Sequence, residues 1–302
     1  MIENKESITA KICSFVRAYH SAYAKEKIFD DYLAYDLLGQ KDYLRVGQLI
    51  EHDFDVDLYD ENAVFSREKI DETVNELLAP IPLSRLAFAK DEYEDFSKYY
   101  DRVQFVILGA GLDTFSFTNA DSKVDIYELD HPDTAAYKKE KIDSLNLVIP
   151  KNLHFIVIDF TKQKLDDVLK ASSLDVNVPT FVTILGVSYY LPLDVFAHTL
   201  EVLKDFFKAK MRVVFDYPDE TTVNHKASRR VLKLASMTRK LGENMVFAFP
   251  YDAVKEEIEK AGLGVLKHLS PDEIDKQYFF NQQNMSAFEN IHFISAQNII
   301  NQ

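Results

Sequence analysis

The chain has 302 residues, 47% hydrophobic and 28% charged, a globular composition that excludes a disordered or fibrous protein. At that length about three quarters of the unfolded surface can be buried, so a core needs no disulfide or metal staple. A formal net charge of −14, with no Lys/Arg run long enough to make a basic face, argues against a nucleic-acid partner.

The N-terminal MIENKESITAKICSF is charged and amphipathic and lacks the apolar core of a signal peptide. It holds the sole cysteine, Cys13, which cannot form an internal disulfide and points to a reducing compartment, the cytoplasm. Ile8, Ile12, Phe15, Tyr19 and Tyr23 recur at helical spacing, and so do Ile70, Val74 and Leu77. Gly39 ends DYLAYDLLG as a helix stop, Pro80 follows REKIDETVNELL, and Ser84 reads as the N-cap of a helix toward Tyr100. From Gln104 the pattern changes to short apolar runs alternating with helical segments: QFVIL, VDIYEL, LHFIVI, TFVTIL and MRVVFD. Such runs predict a mostly parallel sheet covered on both faces. Phe196, Leu200, Leu203 and Phe207 form the apolar stripe of one helix, and DAVKEEIEKAGL forms another that stops at Gly262. LGVLKHL and ENIHFISAQNII supply two closing strands. The least polar stretch, 179–197, contains Pro192 and Asp194 and reads as strand, turn and helix start, not a membrane span. One domain is expected over 1–302, with a helical cap over 1–100 and an α/β core over 101–302.

Chemistry concentrates at the strand ends. QFVILGAGLDTFSF runs a buried strand into Gly109-Ala110-Gly111, where glycines let backbone approach a ligand; Asp113 or Thr114 could cap the helix after this turn. The pattern lacks the third glycine of dinucleotide pyrophosphate sites, which tilts away from NAD. Asp130 lies 19 positions after Gly111, where a Rossmann-type fold places the carboxylate for ribose hydroxyls, unless it caps the helix near Pro132. Glu128 shares its strand face and could share the task. Asp159 beside Phe160 suits an adenine amine and ring, or else makes an Asx turn beside a core ring. ILGVSYYLP, from Ile184, ends the fourth strand where the reacting group should sit.

In this order and spacing, ILGAGLDTFSF, YELDHPDTAAYKKEKI, IDFTKQ and ILGVSYYLP resemble the leucine carboxyl methyltransferase family, including its bacterial O-methyltransferase branch related to polyketide-tailoring enzymes. The resemblance runs from about Phe15 to the C-terminus. It implies an α/β, Rossmann-like class I methyltransferase fold with a helical N-terminal cap, and S-adenosyl-L-methionine as cofactor. By position it puts Arg85 on the methionine carboxylate and Gly109 against the methionine portion, with Ala110, Gly111 and Asp113 counted among the cofactor-binding residues. Asp130 takes the ribose and Asp159 and Phe160 frame the adenine, while Glu128 and Leu185 are counted with the cofactor-binding residues. VRAYHSAYAK, with Arg17, Tyr19 and His20, resembles the family's lid. Two positions depart from the family. Thr118 stands where many relatives carry an arginine, and Leu185 where the phosphatase-methylating members carry a glutamate.

Methyl transfer from a sulfonium is an in-line displacement that needs no metal, and no compact His/Cys/Asp cluster offers one a site. His131 and His154 stand isolated and read as structural. A carboxylate acceptor needs no base, whereas a phenol, with a pKa of about 10, needs one. Tyr190, Tyr189, Asp216 and His20 are the candidates for that base. The expected partner is a small-molecule methyl acceptor. The alternatives are a non-catalytic S-adenosylmethionine-binding protein on the same fold and an NAD-dependent oxidoreductase.

Overall fold

The computed structural model describes residues 8–119, 121–160, 162–222, 226–242 and 247–299. The first seven residues of the amphipathic N-terminal stretch, Thr161 of the third motif and Ile300 of the closing strand segment lie outside the described residues.

The N-terminal part is helical: α1 (Ile8–Tyr23), α2 (Ala34–Leu38), α3 (Gln40–Glu51), α4 (Arg67–Thr73) and α5 (Pro80–Ser97). Then come β1 (Val103–Leu108), α6 (Phe115–Thr118), β2 (Val124–Asp130), α7 (Pro132–Ser144), β3 (Leu153–Val157), α8 (Leu165–Ala171), β4 (Thr180–Ile184), α9 (Leu193–Phe206) and β5 (Met211–Pro218). The chain closes with α10 (Arg229–Lys240), α11 (Tyr251–Lys260), β6 (Leu263–Leu269), α12 (Pro271–Ile274) and β7 (Ile291–Asn298).

The seven strands form one sheet in the order β3-β2-β1-β4-β5-β7-β6. The first five pair in parallel, and β7 runs antiparallel to both β5 and β6. This is an open, Rossmann-like α/β sheet. Every residue of β1, β4 and β5 is buried, as strands covered on both faces must be. Alternate residues feed two cores. Phe105, Ile107, Phe181, Val214 and Phe293 meet Phe15, Phe88 and Phe96 on the face carrying the N-terminal helices. Val106, Leu108, Val182, Ile184 and Phe215 meet Leu200 and Leu203 of α9 and Ile258 of α11 on the other. Among the described residues no helix is long and apolar enough to cross a membrane.

One local expectation is corrected. The helix expected to start at Ser84 starts at Pro80, reached through a π-helical turn over Val74–Leu78. Pro80 and Pro82 read as breakers, but the first turn has no intrahelical acceptor for its N–H groups, so prolines cost nothing there. The Ser84 hydroxyl instead donates back to the Pro80 carbonyl at 2.6 Å. Helix α5 packs on β4, β5 and β7.

Candidate functional site

A cleft of about 2580 Å³ opens at the carboxyl ends of β1–β4, where ligands bind in open α/β sheets. Its roof is one face of α1 (Ile8, Cys13, Arg17) and one face of α3 (Asp42, Val46, Leu49). Arg85 and Leu86 of α5 form a side wall.

The glycine turn lies on the cleft floor. Gly109 and Gly111 hold φ of 77° and 54°, the left-handed region that side chains rarely adopt. A Cβ on Gly109 would stand 3.0 Å from Val187. Asp113 accepts the Phe115 N–H at 2.8 Å and so caps α6, while Thr114 makes no capping bond through its side chain. Asp130 accepts the Gly111 N–H with one oxygen and the His131 N–H, at 2.7 Å, with the other. It therefore spans the two strand-end turns and is not the cap of α7; that place belongs to His131, whose ring accepts from Asp133 N–H. Burial pushes the Asp130 carboxyl above its usual value, against the pull of the Gly111 and His131 N–H groups.

Arg85, Gly109, Ala110, Gly111, Asp113, Asp130, Asp159, Phe160, Leu185 and Tyr190 all line the cleft. Asp159 is buried and meets Lys162 at 2.9 Å, while Phe160 stays half exposed. Glu128 is placed elsewhere. It points beneath the glycine turn into a buried pair with Lys138 at 2.5 Å and takes the Ser116 hydroxyl at 3.0 Å. Its side chain is 2% exposed and forms no part of the cleft wall. Burial pushes its carboxyl up.

Three of the four base candidates also lie off the wall. His20 is buried, with Nε2 accepting the Ile28 N–H at 2.9 Å; burial, helped by Lys27, pulls it down to about 4. Tyr189 is buried and donates to Asp216 at 2.7 Å; burial and that carboxylate push its phenol well above the usual range. Asp216 is fully buried and takes bonds from Gly186 N–H at 2.7 Å, Tyr189 and Arg85. Tyr190 is the member of the four at the cleft wall.

The structure adds connections that motif spacing does not carry. Arg17 donates to the Leu112 carbonyl at 2.7 Å and to Asp31 at 2.6 Å, and the Thr114 hydroxyl joins the same Asp31 oxygen at 2.8 Å. Helix α1 is thus tied directly to the glycine turn. Asp42 accepts from Lys11 at 3.1 Å, Tyr137 at 2.6 Å and Lys141 at 2.8 Å, joining α1 and α3 to α7. Although burial opposes it, these donors hold the Asp42 carboxyl down to about 2. Lys138 also donates to the Asp113 carbonyl at 2.6 Å, supporting the turn from below. One signal could have found Lys138: it falls between buried Thr134 and Ile142 at four-residue steps, on the inward face of α7.

Chemically, the floor offers carboxylates at the ends of β2 and β3, an exposed ring face at Phe160 and a guanidinium near the end of β4. That set matches a ligand with vicinal hydroxyls, a flat heterocycle and an anionic tail. Among the described residues no group of three or more His, Cys, Asp or Glu is placed to hold a metal ion.

The family model described as leucine carboxyl methyltransferase matches residues 10–204. The chain is 37% identical over 303 aligned positions, 98% of it and 99% of the relative, to YktD of Bacillus subtilis (strain 168). That relative is named as a candidate S-adenosyl-L-methionine-dependent methyltransferase. Among solved structures, a magnesium protoporphyrin IX methyltransferase from Synechocystis PCC 6803 with bound SAH aligns at 10% identity and a TM-score of 0.46, over 86% of this chain and 98% of that one. A riboflavin-analogue dimethyltransferase from Streptomyces davawensis aligns at 14% identity and a TM-score of 0.44, over 97% of this chain and 70% of that one.

Proposed function

The chain belongs to the leucine carboxyl methyltransferase family, and on that premise we propose that it is a cytoplasmic S-adenosyl-L-methionine-dependent methyltransferase acting on an oxygen of a small carboxylic acid or phenol. One observation carries the cofactor reading: Asp130 is fastened to the glycine turn by Gly111 N–H while still lining the cleft. A carboxylate has about four acceptor positions, so two backbone donors leave room for two ribose hydroxyls. Asp159 and Phe160 suit the adenine, and Arg85 the methionine carboxylate. When bound, the cofactor supplies an electrophilic methyl group on a sulfonium. The chain's own work is then to hold the acceptor oxygen in line and keep water out.

The acceptor reading leans to a carboxylate. His20, Tyr189 and Asp216 are buried and engaged, so none of them reaches an acceptor in the cleft. An acceptor that is already ionised needs none, whereas a phenol does. Val46 and Leu49 of the roof and Leu86 of the side wall suit an apolar body on such an acid. Leu185 replaces the glutamate of the phosphatase-methylating relatives, which speaks against a protein C-terminus, and a net charge of −14 speaks against nucleic acid.

Incubating the protein with labelled methyl donor and a panel of aromatic and aliphatic acids, phenols, tRNA and a phosphatase peptide tests this reading. Label is expected in an acid, as a base-labile ester. Label only in tRNA or the peptide contradicts the acceptor class, and binding without any transfer favours a non-catalytic binder.

A further inference from the structure

Asp216, near the C-terminal end of β5, is among the most enclosed charged groups of the described chain, and no surface of it reaches the cleft. Its Oδ1 accepts the Gly186 N–H at 2.7 Å, and its Oδ2 accepts both the Tyr189 hydroxyl at 2.7 Å and Arg85 Nη1 at 3.3 Å. The guanidinium it holds projects into the cleft, with Nη2 3.7 Å from the Cys13 sulfur. The turn after β4 is shaped around the same group. Gly186 has φ of 71°, and a Cβ there would fall 2.6 Å from Arg85 Nη1. Three separate segments, α5, the β4 turn and β5, are therefore keyed to one guanidinium. A guanidinium carries five N–H donors in a planar fork. Nη1 meets Asp216 and Nη2 meets only the Cys13 sulfur, a weak acceptor, so N–H groups remain for a second carboxylate, with the orientation fixed and the burial of the cation offset by a counter-ion.

We propose that Asp216 is the positioning residue that aims Arg85 at the cofactor's amino-acid end, so that recognition of that end depends on a β5 carboxylate the ligand never touches. The proposal rests on the functional reading in which Arg85 receives the methionine carboxylate. It replaces the expectation that Asp216 serves as a base, since all the groups it meets are donors already bound.

The test compares two ligands that differ only at the end in question. S-adenosylhomocysteine carries the amino-acid portion; methylthioadenosine keeps the adenine, ribose and thioether and lacks it. Calorimetry on the wild-type chain and on Asp216→Asn is expected to show S-adenosylhomocysteine weakened about tenfold or more and methylthioadenosine by less than about twofold. Equal losses for the two ligands would mean a merely structural residue and overturn the proposal, as would no loss for either. A wild-type chain that fails to bind S-adenosylhomocysteine overturns the functional reading instead. Should Asp216→Asn not fold, Tyr189→Phe decides. It removes one bond from the same oxygen and keeps the counter-ion, and a selective loss of about threefold is expected. Equal or absent losses there reject the proposal.

Discussion

Asp130→Ala should weaken S-adenosylhomocysteine binding by about ten- to hundredfold, the equivalent of roughly 1.5–3 kcal/mol for hydrogen bonds to a charged acceptor. The effect has two parts. The carboxylate offers acceptors for the ribose, and it also pins the Gly111 N–H and the His131 N–H, so its loss frees the turn that faces the ligand. Asp130→Asn keeps the shape but sets an NH₂ group against one of those two backbone donors, and is expected to recover only part of the affinity. Isothermal titration with both variants, alongside thermal unfolding to separate binding from folding, checks this. Wild-type affinity in Asp130→Ala would reduce Asp130 to a fastener of the turn.

Lys138→Met should destabilise the fold by about 3–5 kcal/mol, because it leaves the Glu128 carboxylate buried without its cation. Both side chains of the pair are 2% exposed, so water cannot substitute for the lost partner. At an unfolding entropy of about 2.1 cal/mol/K per residue, a loss of that size lowers the melting temperature by about 5–8 °C. The deficit should depend on pH, and the sign is fixed. Burial already raises the Glu128 carboxyl and Lys138 opposes that rise, so removing Lys138 raises it further. A carboxyl raised in the folded state keeps its proton where the unfolded chain has lost its own. Its contribution to stability is then fully present below the ordinary glutamate value, about 4.3, and is lost as pH rises through the folded value. The gap between Lys138→Met and wild type should therefore narrow toward acid pH, and Lys138→Met with Glu128→Leu should recover most of the loss. A deficit that does not change with pH would show that the buried charge is not its source.

The strands were legible because each is a short, largely apolar run, buried on both faces in β1, β4 and β5, and β1 through β5 match those runs closely. The helix that starts at Pro80 was harder. Proline reads as a breaker along the chain and as a first-turn residue only once the preceding turn is known. For the site, what could be read was which strand ends face the cleft, since sheet topology sets that. Depth along a strand could not be read in the same way. The two-residue period puts Glu128 and Asp130 on one face, but only Asp130 reaches past the sheet edge, and Glu128 ends under the turn beside Lys138. The same limit applies to Tyr189, Asp216 and His20. Their chemistry is decided by partners at Arg85, Gly186 and Ile28, and no local pattern announces those contacts. The bonds of Arg17 to Leu112 and of Asp42 to Tyr137 join residues 95 positions apart and are equally invisible to spacing.

The central claim is that the cleft above Gly109-Ala110-Gly111 is built for S-adenosylmethionine and its demethylated product, not for a dinucleotide. Thermal unfolding of the full chain, with S-adenosylhomocysteine or NAD each at saturating concentration, addresses it most directly. At a hundredfold excess over the dissociation constant the bound state gains about 2.7 kcal/mol, which for a chain of this length raises the melting temperature by about 4 °C. The account predicts that rise with S-adenosylhomocysteine and no change with NAD; a rise with NAD and none with S-adenosylhomocysteine would contradict it.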